Sequence, residues 1–385
     1  MPKISIIITT HNDEKYLKTC LDAILAQTFA DFEAIIIDDA SEDKTPEIIK
    51  SYAKKDSRIK PYFLEENGGI SASRNFGLSK ASAEYIMFCD GDDYYAPTMC
   101  EKMFSAIHTQ NTDIGICEIK VFYEAHHEMK FSDDCYYKLK FSGRHLIDGN
   151  IIHNIDTSVD NKIFRKSLVE KHQLRFPVGL RYEDSFFVTA YMFASNSAFF
   201  VYEPLYYYFR HEGSFMSQTW SKQTEEDSSI DNIRIFVELH ALLAREKLLQ
   251  TKKHYDFFWT YFCDYIYAAH NWCKSAKMRE TIRDEISDFV GANEEEIATK
   301  TSSSTRKYLA EFTSPRFYST SWKVVSKLKH ITKTLAQKLS HRFCKISTSQ
   351  NWSLIKLRGL TVSTNYLRSH TEILRKTKFG KPHET

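Results

Sequence analysis

Three acidic clusters stand at the ends of apolar runs. Asp38-Asp39 follows Ile35-Ile36-Ile37, Asp90-Gly91-Asp92-Asp93 follows Tyr85-Ile86-Met87-Phe88-Cys89, and Glu183-Asp184 opens a helical pattern over Ser185–Ala194. A strand that ends in two or three carboxylates concentrates negative charge, which destabilises the fold unless a cation or hydrogen-bond donors compensate. Any one cluster is equally well read as Asp residues ending a strand and capping a helix. The three together point to a site. Asp90 and Asp92, two residues apart, offer the hard oxygen ligands that suit Mn²⁺ or Mg²⁺, and such an ion bridges phosphate oxygens. Gly91 is expected to let the backbone turn tightly between them. The segment Asn67-Gly68-Gly69-Ile70-Ser71-Ala72-Ser73-Arg74 adds two glycines for close backbone approach, a helix N-terminus and a guanidinium one turn in, as a nucleotide diphosphate requires. A plain Gly loop with a solvated Arg74 is the competing reading.

The elements that must position these residues alternate along the first 125 positions. Ile4–Ile8, Phe32–Ile37, Ile59–Leu64, Tyr85–Cys89 and Ile114–Phe122 read as strands, the first two as runs buried on both faces. Helical spacing covers Asp13–Gln27, the segment opened by Thr45-Pro46-Glu47, Ser71–Lys80 and Pro97–Thr109. Strands alternating with helices predict an open α/β sheet whose ligands bind beyond the carboxyl ends of its strands. Residues 125–215 mix helix and strand, with Tyr206–Phe209 as one more strand. Residues 221–311 are helical, carrying Ile230, Ile233, Phe236, Val237 and Leu239 on one face.

With 385 residues, 42% of them hydrophobic and 26% charged, wholesale disorder and fibrous repeats are excluded. Eight Cys without a C-x-x-C pair, and no zinc-like Cys/His spacing, read as reduced thiols in a cytosolic compartment. No signal peptide is expected, since the first apolar run is four Ile broken by Ser5. The uncharged stretch 185–202 contains Ser, Thr and Asn and is rejected as a membrane span. The net charge of +2 hides an asymmetry: residues 301–385 hold 17 Lys and Arg against three acids, or +14, and residues 1–300 carry −12. An acidic body with a basic tail predicts that the tail touches something anionic. Its cations interleave with Phe317, Trp322, Phe343, Trp352 and Tyr366, which suits an anionic bilayer surface. An acidic partner protein or acidic glycan is a second reading. Nucleic acid is not expected, for want of a recognised module.

Taken in order, Ile6-Ile7-Ile8-Thr9-Thr10-His11-Asn12, Ile37-Asp38-Asp39-Ala40-Ser41, Asn67-Gly68-Gly69 with Arg74-Asn75-x-Gly77, Asp90-x-Asp92-Asp93 and Glu183-Asp184 resemble the family 2 inverting glycosyltransferases, over about residues 3–215. Two positions depart from the usual pattern: His11 stands where Tyr is common, and Ala40 where Gly follows the Asp pair. Neither change touches a carboxylate. The resemblance implies a Rossmann-like, mostly parallel sheet flanked by helices, the A-type glycosyltransferase fold, followed by a C-terminal helical region. It divides the chain into a catalytic domain over 1–220 (nucleotide-sugar half 1–125, acceptor half 126–220), a helical region over 221–311 and a basic tail over 312–385.

The resemblance also implies roles. Thr9, Asp39 and Arg74 would cradle the nucleoside, with Asn67 and Glu183 also in the donor site and Asp90 on ribose or sugar hydroxyls. Asp92 would hold Mn²⁺ or Mg²⁺, helped by Asp93, and His211 would add a metal or phosphate contact. Asp184 would be the general base, kept ionised by its helix N-terminus. The donor would be a nucleotide diphosphate sugar, a uridine one, and Arg74 with the metal would neutralise the leaving diphosphate. The acceptor would be a growing surface polysaccharide or lipid-linked saccharide at the inner face of the cell membrane. For His211 a strand-end histidine bonded to backbone is an equal alternative, and His126-His127 reads as a solvated loop. A catalytically silent scaffold of a glycan-assembly complex is the alternative function, opposed by the complete set Asp39, Asp90, Asp92 and Asp184. A sugar-1-phosphate nucleotidyltransferase would need a Gly-rich loop after the first strand, and Thr9-Thr10-His11-Asn12 stands there instead. P-loop chemistry is excluded because no G-x-x-x-x-G-K-[ST] occurs.

Overall fold

The computed structural model describes residues 1–125, 128–137, 139, 141–211, 222–273, 275–313, 355–357 and 360–362. His126-His127 and most of the basic tail, with Phe317, Trp322, Phe343, Trp352 and Tyr366, lie outside these. The chain divides into two units, Met1–Ser321 and Trp322–Thr385. In the second, Ile355–Leu357 and Leu360–Val362 pair antiparallel.

The first unit is built on a ten-stranded sheet. In chain order it runs β1 (Ile4–Thr10), α1 (Leu17–Leu25), β2 (Phe32–Asp38), α2 (Thr45–Lys55), β3 (Ile59–Phe63), α3 (Gly69–Lys80), β4 (Tyr85–Asp90), β5 (Tyr94–Tyr95) and α4 (Met99–Phe104). After a π-helical turn over Ser105–Thr109 come β6 (Ile114–Ala125), β7 (Glu128–Tyr137), β8 (Gly143–Leu146), α5 (Gly149–Asn154), β9 (Lys162–Arg165), α6 (Lys166–Lys171), α7 (Glu183–Ala194) and β10 (Ser197–Arg210). Among the described residues five helices follow: α8 (Lys222–Arg245), α9 (Lys252–Trp272), α10 (Ala276–Ala292), α11 (Glu294–Lys300) and α12 (Ser303–Thr313).

The sheet order is β3-β2-β1-β4-β9-β6-β10-β5, with β7 on β6 and β8 on β10. The first four strands are mutually parallel, as their alternation with helices predicts, and β10 is parallel to β6. The sheet is mixed: β9 inserts antiparallel between β4 and β6, and β5, β7 and β8 also pair antiparallel with their neighbours. Strand β9 has only four residues, too few for an alternation to register in the sequence.

The β-branched run of β1 divides its side chains between two cores, because successive residues point to opposite faces. Ile7 joins Ile35, Ile37 and Phe88 on one face, where α7 and the helices from α8 onward pack; this cluster extends to Leu309. Ile4, Ile6 and Ile8 join Ala34, Ile36 and Met87 on the other, against Leu17, Leu21 and Ile24 of α1 and Ile49 of α2. Helix α3 lies close to the first face. A Cβ on its Gly77 would come within 2.4 Å of Ile7 Cγ2, so only glycine permits that approach. Register then fixes the site's edge. Thr9 pairs with Asp90 and Thr10 with Asp38, so three strands end level with one another.

Candidate active site

Arg74 is the centre of the site. It lies one turn and a half into α3, is 2% exposed, and reaches four carboxylates from three separate segments. Its Nη2 donates to Asp90 Oδ1 at 3.0 Å and lies 3.7 Å from Asp160 Oδ1. Its Nη1 donates to Glu183 Oε1 at 3.0 Å and lies 4.0 Å from Asp184 Oδ1. The ring of Phe176 lies beneath the guanidinium, 5.5 Å away. The solvated-arginine reading is thereby excluded. The expectation that Arg74 neutralises the diphosphate also meets a different placement: its terminal nitrogens face protein carboxylates.

Asp90 ends β4 and also accepts from the Thr9 hydroxyl at 3.2 Å. Thr9 and Asp90 are register partners, so the parallel pairing alone brings them together. Asp39, one residue beyond β2, has one carboxylate oxygen 2.9 Å from the Gly68 amide and the other 2.9 Å from the Gly69 amide. It therefore satisfies two orphan donors at the start of α3. Asn67 accepts from the Gly69 amide at 3.1 Å and turns its side-chain amide toward His11. The Gly68-Gly69 loop is thus organised by carboxylate and amide side chains in this state, and Gly69 holds φ +78°, a conformation that favours glycine.

Asp92 and His211 meet: His211 Nε2 lies 2.9 Å from Asp92 Oδ2. The pairing of β5 with β10 carries them together, with Tyr207 opposite Tyr94 and Tyr206 opposite Tyr95. The imidazole also packs on Tyr16 and Phe209, at 4.3 and 5.1 Å between ring centres. Asp93 does not join them, against the expectation that it helps hold the metal. It is buried, with one carboxylate oxygen bonded to the Tyr206 hydroxyl and the other accepting from the Phe209 amide at 2.7 Å. Burial pushes its carboxyl well above the usual range. Asp93 clamps β10 to the acidic loop, and its lone pairs are engaged there. Gly91 is required for a reason other than a special turn: a Cβ there would sit 2.8 Å from both Thr10 Oγ1 and Asp13 Oδ2.

The Glu183-Asp184 pair opens α7. Tyr182, immediately before it, adopts φ +63°, which turns the chain so that Glu183 and Asp184 both face Arg74. The Asp184 side chain is 30% exposed, yet its carboxyl is pushed up to about 8, first by burial and then by Glu183 beside it. The helix N-terminus alone predicts the opposite direction, and desolvation outweighs it.

Three titratable groups here carry no motif in the sequence. Asp160 is buried beside Arg74, its carboxyl pushed up to about 8 by burial and by Asp90. Lys162, fully buried, donates to the Ser158 carbonyl and the Asn161 side chain, and burial draws it down to about 8. Asp13 accepts from the Thr10 hydroxyl at 2.7 Å and is raised to about 6 by burial and by Asp92. The polar run Ser158-x-Asp160-Asn161-Lys162 looks like a surface loop in one dimension. Only its position under Arg74 makes it part of a site.

Among the described residues, no three or more His, Cys, Asp or Glu side chains are grouped to hold a metal by themselves. The donor set nevertheless fits Mn²⁺ or Mg²⁺, which commonly take one or two protein ligands and complete their shells with phosphate and water. Asp92, 22% exposed, and His211 supply a carboxylate and an imidazole on one side. No helix among the described residues is long and apolar enough to cross a membrane.

Comparison with known proteins places this architecture. Residues 5–173 match the family model described as glycosyl transferase family 2. The chain is 32% identical over 262 residues to the putative glycosyltransferase EpsH of Bacillus subtilis strain 168, covering 67% of this chain and 74% of that protein. It is 28% identical to poly(ribitol-phosphate) beta-N-acetylglucosaminyltransferase TarS of Staphylococcus aureus strain Mu50 over 57% of this chain, but only 38% of TarS is spanned. The crystal structure of S. aureus TarS 1-349 superposes with a TM-score of 0.59 at 20% identity, covering 81% of this chain and 89% of that one, a likeness of fold. TarS 1-349 in complex with UDP-GlcNAc gives a TM-score of 0.51 at 21% identity over 78% of this chain and 93% of that one. The chain belongs to glycosyl transferase family 2.

Proposed function

We propose that this protein transfers a sugar from a nucleotide diphosphate sugar, a UDP sugar, to an acceptor hydroxyl on a growing surface polysaccharide or lipid-linked saccharide. The reaction is a metal-assisted single displacement with inversion. The observation that carries this reading is the single guanidinium of Arg74, which ties Asp90 at the end of β4 to Glu183 and Asp184 at the start of α7. Carboxylates far apart in the chain thereby converge on one crevice at the carboxyl edge of the sheet, where open α/β sheets bind ligands. The likeness to EpsH and TarS, and the UDP and UDP-GlcNAc in TarS complexes, support the reaction class and the uridine donor.

Thr9, Asp39, Asn67 and Asp90 line the donor side. Arg74 acts as a positioning residue that orients Asp90 and the Glu183-Asp184 pair together, and Glu183 holds Arg74 in place. Asp184 accepts the proton of the acceptor hydroxyl as its oxygen forms a bond to the anomeric carbon. The bond from that carbon to the diphosphate oxygen breaks on the opposite face, and the electron pair leaves with the nucleotide. Asp92 and His211 would hold Mn²⁺ or Mg²⁺, whose charge stabilises the departing diphosphate.

A screen of nucleotide sugars for Mn²⁺- or Mg²⁺-dependent hydrolysis tests this. Release of nucleotide from a UDP sugar, abolished by Asp92→Ala, is expected. Absence of nucleotide-sugar binding with either metal present would instead favour a scaffold role. The +14 charge of residues 301–385 supports docking on an anionic inner leaflet. Preferential partition into anionic over neutral liposomes is the expected result, and equal binding to both rejects it.

A further inference from the structure

His11 lies where three loops of the donor site meet, and its hydrogen bonds define one protonation state. Its Nδ1 is 2.7 Å from the backbone carbonyl oxygen of Asp39, an acceptor only, so Nδ1 carries the proton. Its Nε2 is 2.9 Å from the side-chain amide nitrogen of Asn12. The orientation of that amide is fixed, because its oxygen accepts from the Glu42 backbone amide at 2.9 Å. Asn67 lies over the ring rather than in line with one nitrogen. Its oxygen accepts from the Gly69 amide at 3.1 Å, which turns its nitrogen to within 3.2 Å of His11 Nε2 and 3.4 Å of Nδ1. Asn12 presents its N–H to Nε2. A second ring proton would place a donor against that donor.

We propose that His11 is a positioning residue that works only as the neutral, Nδ1-protonated imidazole, pinning the β1–α1, β2–α2 and β3–α3 loops into the conformation that receives the nucleotide. The ring joins Asp39, whose carboxylate grips the Gly68-Gly69 amides, to Asn67, which grips Gly69 from the other side. The first loop is further tied to the second through Asn12, whose own amide donates to the Ser41 hydroxyl at 2.8 Å and whose φ is +58°. The charged side chains of these loops, with Asp38 at the end of β2, are Asp13, Glu14 and Lys15, Asp39, Glu42, Asp43 and Lys44, and Glu65 and Glu66. The carboxylates favour a charged ring and the two lysines oppose it. The carboxylates of Asp13, Asp39 and Asp43 accept from Thr10, from the glycine amides and from Thr45 and keep their charge. The Asn12 N–H meets Nε2 directly. A second proton on His11 therefore loosens the donor loops, a change separate from the proton taken up at Asp184 over the same range. The inference takes its ligand from the nucleotide-sugar reading, and its tautomer stands apart from that reading.

Two measurements test it. Long-range ¹⁵N–¹H spectra of the full chain, with the His11 signals assigned by their loss in His11→Phe, report the tautomer without any nucleotide. A protonated Nδ1 and a bare Nε2 are expected at about pH 8. A proton on Nε2 overturns the inference, whatever the protein binds. The second measurement is binding of the UDP sugar accepted in the hydrolysis screen, from about pH 8 to about pH 5.5, the range in which histidines titrate. Wild-type affinity is expected to fall by about fivefold or more on acidification. His11→Phe should bind at least about fivefold more weakly at pH ~8, lose no more in acid, and keep kcat at saturating donor within about twofold. Wild-type affinity in the phenylalanine variant, or an identical pH profile in both proteins, overturns the inference. A bare Nε2 with no nucleotide-sugar binding by either protein would refute both the donor reading and the positioning role.

Discussion

Arg74 donates to Glu183 across 3.0 Å, although the two residues are 109 positions apart. This bond joins α3 at the carboxyl edge of the sheet to helix α7, which opens with Glu183-Asp184. Together with Asp90, Asp160 and Asp184 it surrounds one buried cation with four carboxyl groups. Removing the cation leaves buried acids without a partner. Arg74→Met should therefore cost about 3–5 kcal/mol of stability, read by chemical denaturation. Arg74→Lys keeps the charge but lacks the planar fork that spans Glu183 and Asp90, so most activity should be lost with a smaller stability change. Unchanged activity in the lysine variant would contradict the positioning role.

The pH profile follows from Asp184 and Asp160, both raised to about 8. A base acts only when ionised, so kcat/KM should rise with pH and level off above about 8, a limb that belongs to the pair. Stability has the opposite slope. A carboxyl whose pKa is higher in the folded state than in the unfolded state stabilises the fold fully below its unfolded value, near 4. That contribution is lost as pH rises through about 8. Denaturation between those limits should show falling stability, with a shallower slope in Asp160→Asn. A slope that the substitution leaves unchanged would sink this assignment.

Asp92 and Asp93 are neighbours with separable roles. Asp92→Ala should abolish the stabilisation that Mn²⁺ and UDP together produce in a thermal melt, while the melt without ligand stays close to wild type. Asp93→Ala strips acceptors from the Tyr206 hydroxyl and the Phe209 amide. It should cost about 2–4 kcal/mol, since two buried donors are left unpaired. Chelation by EDTA should reproduce the Asp92→Ala result in the wild-type protein.

Ala40 stands at φ +56°, a conformation that costs a residue with a Cβ about 1 kcal/mol. Ala40→Gly relieves that strain but frees the unfolded chain, so a net gain of up to about 0.5 kcal/mol in urea denaturation is expected. Gly91→Ala should act in the opposite sense. Its Cβ would press on Thr10 and Asp13 at 2.8 Å and displace the loop that holds Asp90 and Asp92. Loss of activity with a lowered melting temperature is expected, and a neutral phenotype would contradict the packing argument.

The alternation of Ile4–Ile8, Phe32–Ile37, Ile59–Leu64 and Tyr85–Cys89 with helical spacing was enough to place the parallel half of the sheet. Period-two and period-3.6 patterns are local, and a strand buried on both faces announces itself by its β-branched run. Asp39, Asp90 and Asp92 stood out for the same reason, since each follows the end of such a run, whereas Glu183-Asp184 stood out as the opening of a helical pattern. The antiparallel insertion of Lys162–Arg165 left no comparable trace. Asp160 and Lys162 carry no motif, and only the packing of the segment that leads into β9 brings Asp160 within 3.7 Å of Arg74.

Residue types and their order along the chain were sufficient to establish the family, the strand ends and the acidic set. Which carboxylates are buried, and what they touch, depended on the packing of β9, β10 and α7 around α3. That packing divided Asp92 from Asp93, directed Arg74 toward acids, and raised Asp184 where the helix N-terminus alone predicts a lower value. The physical reason is range. Hydrophobic periodicity is set by neighbours a few residues away, whereas desolvation and pairing are set by whichever distant segments close over a side chain.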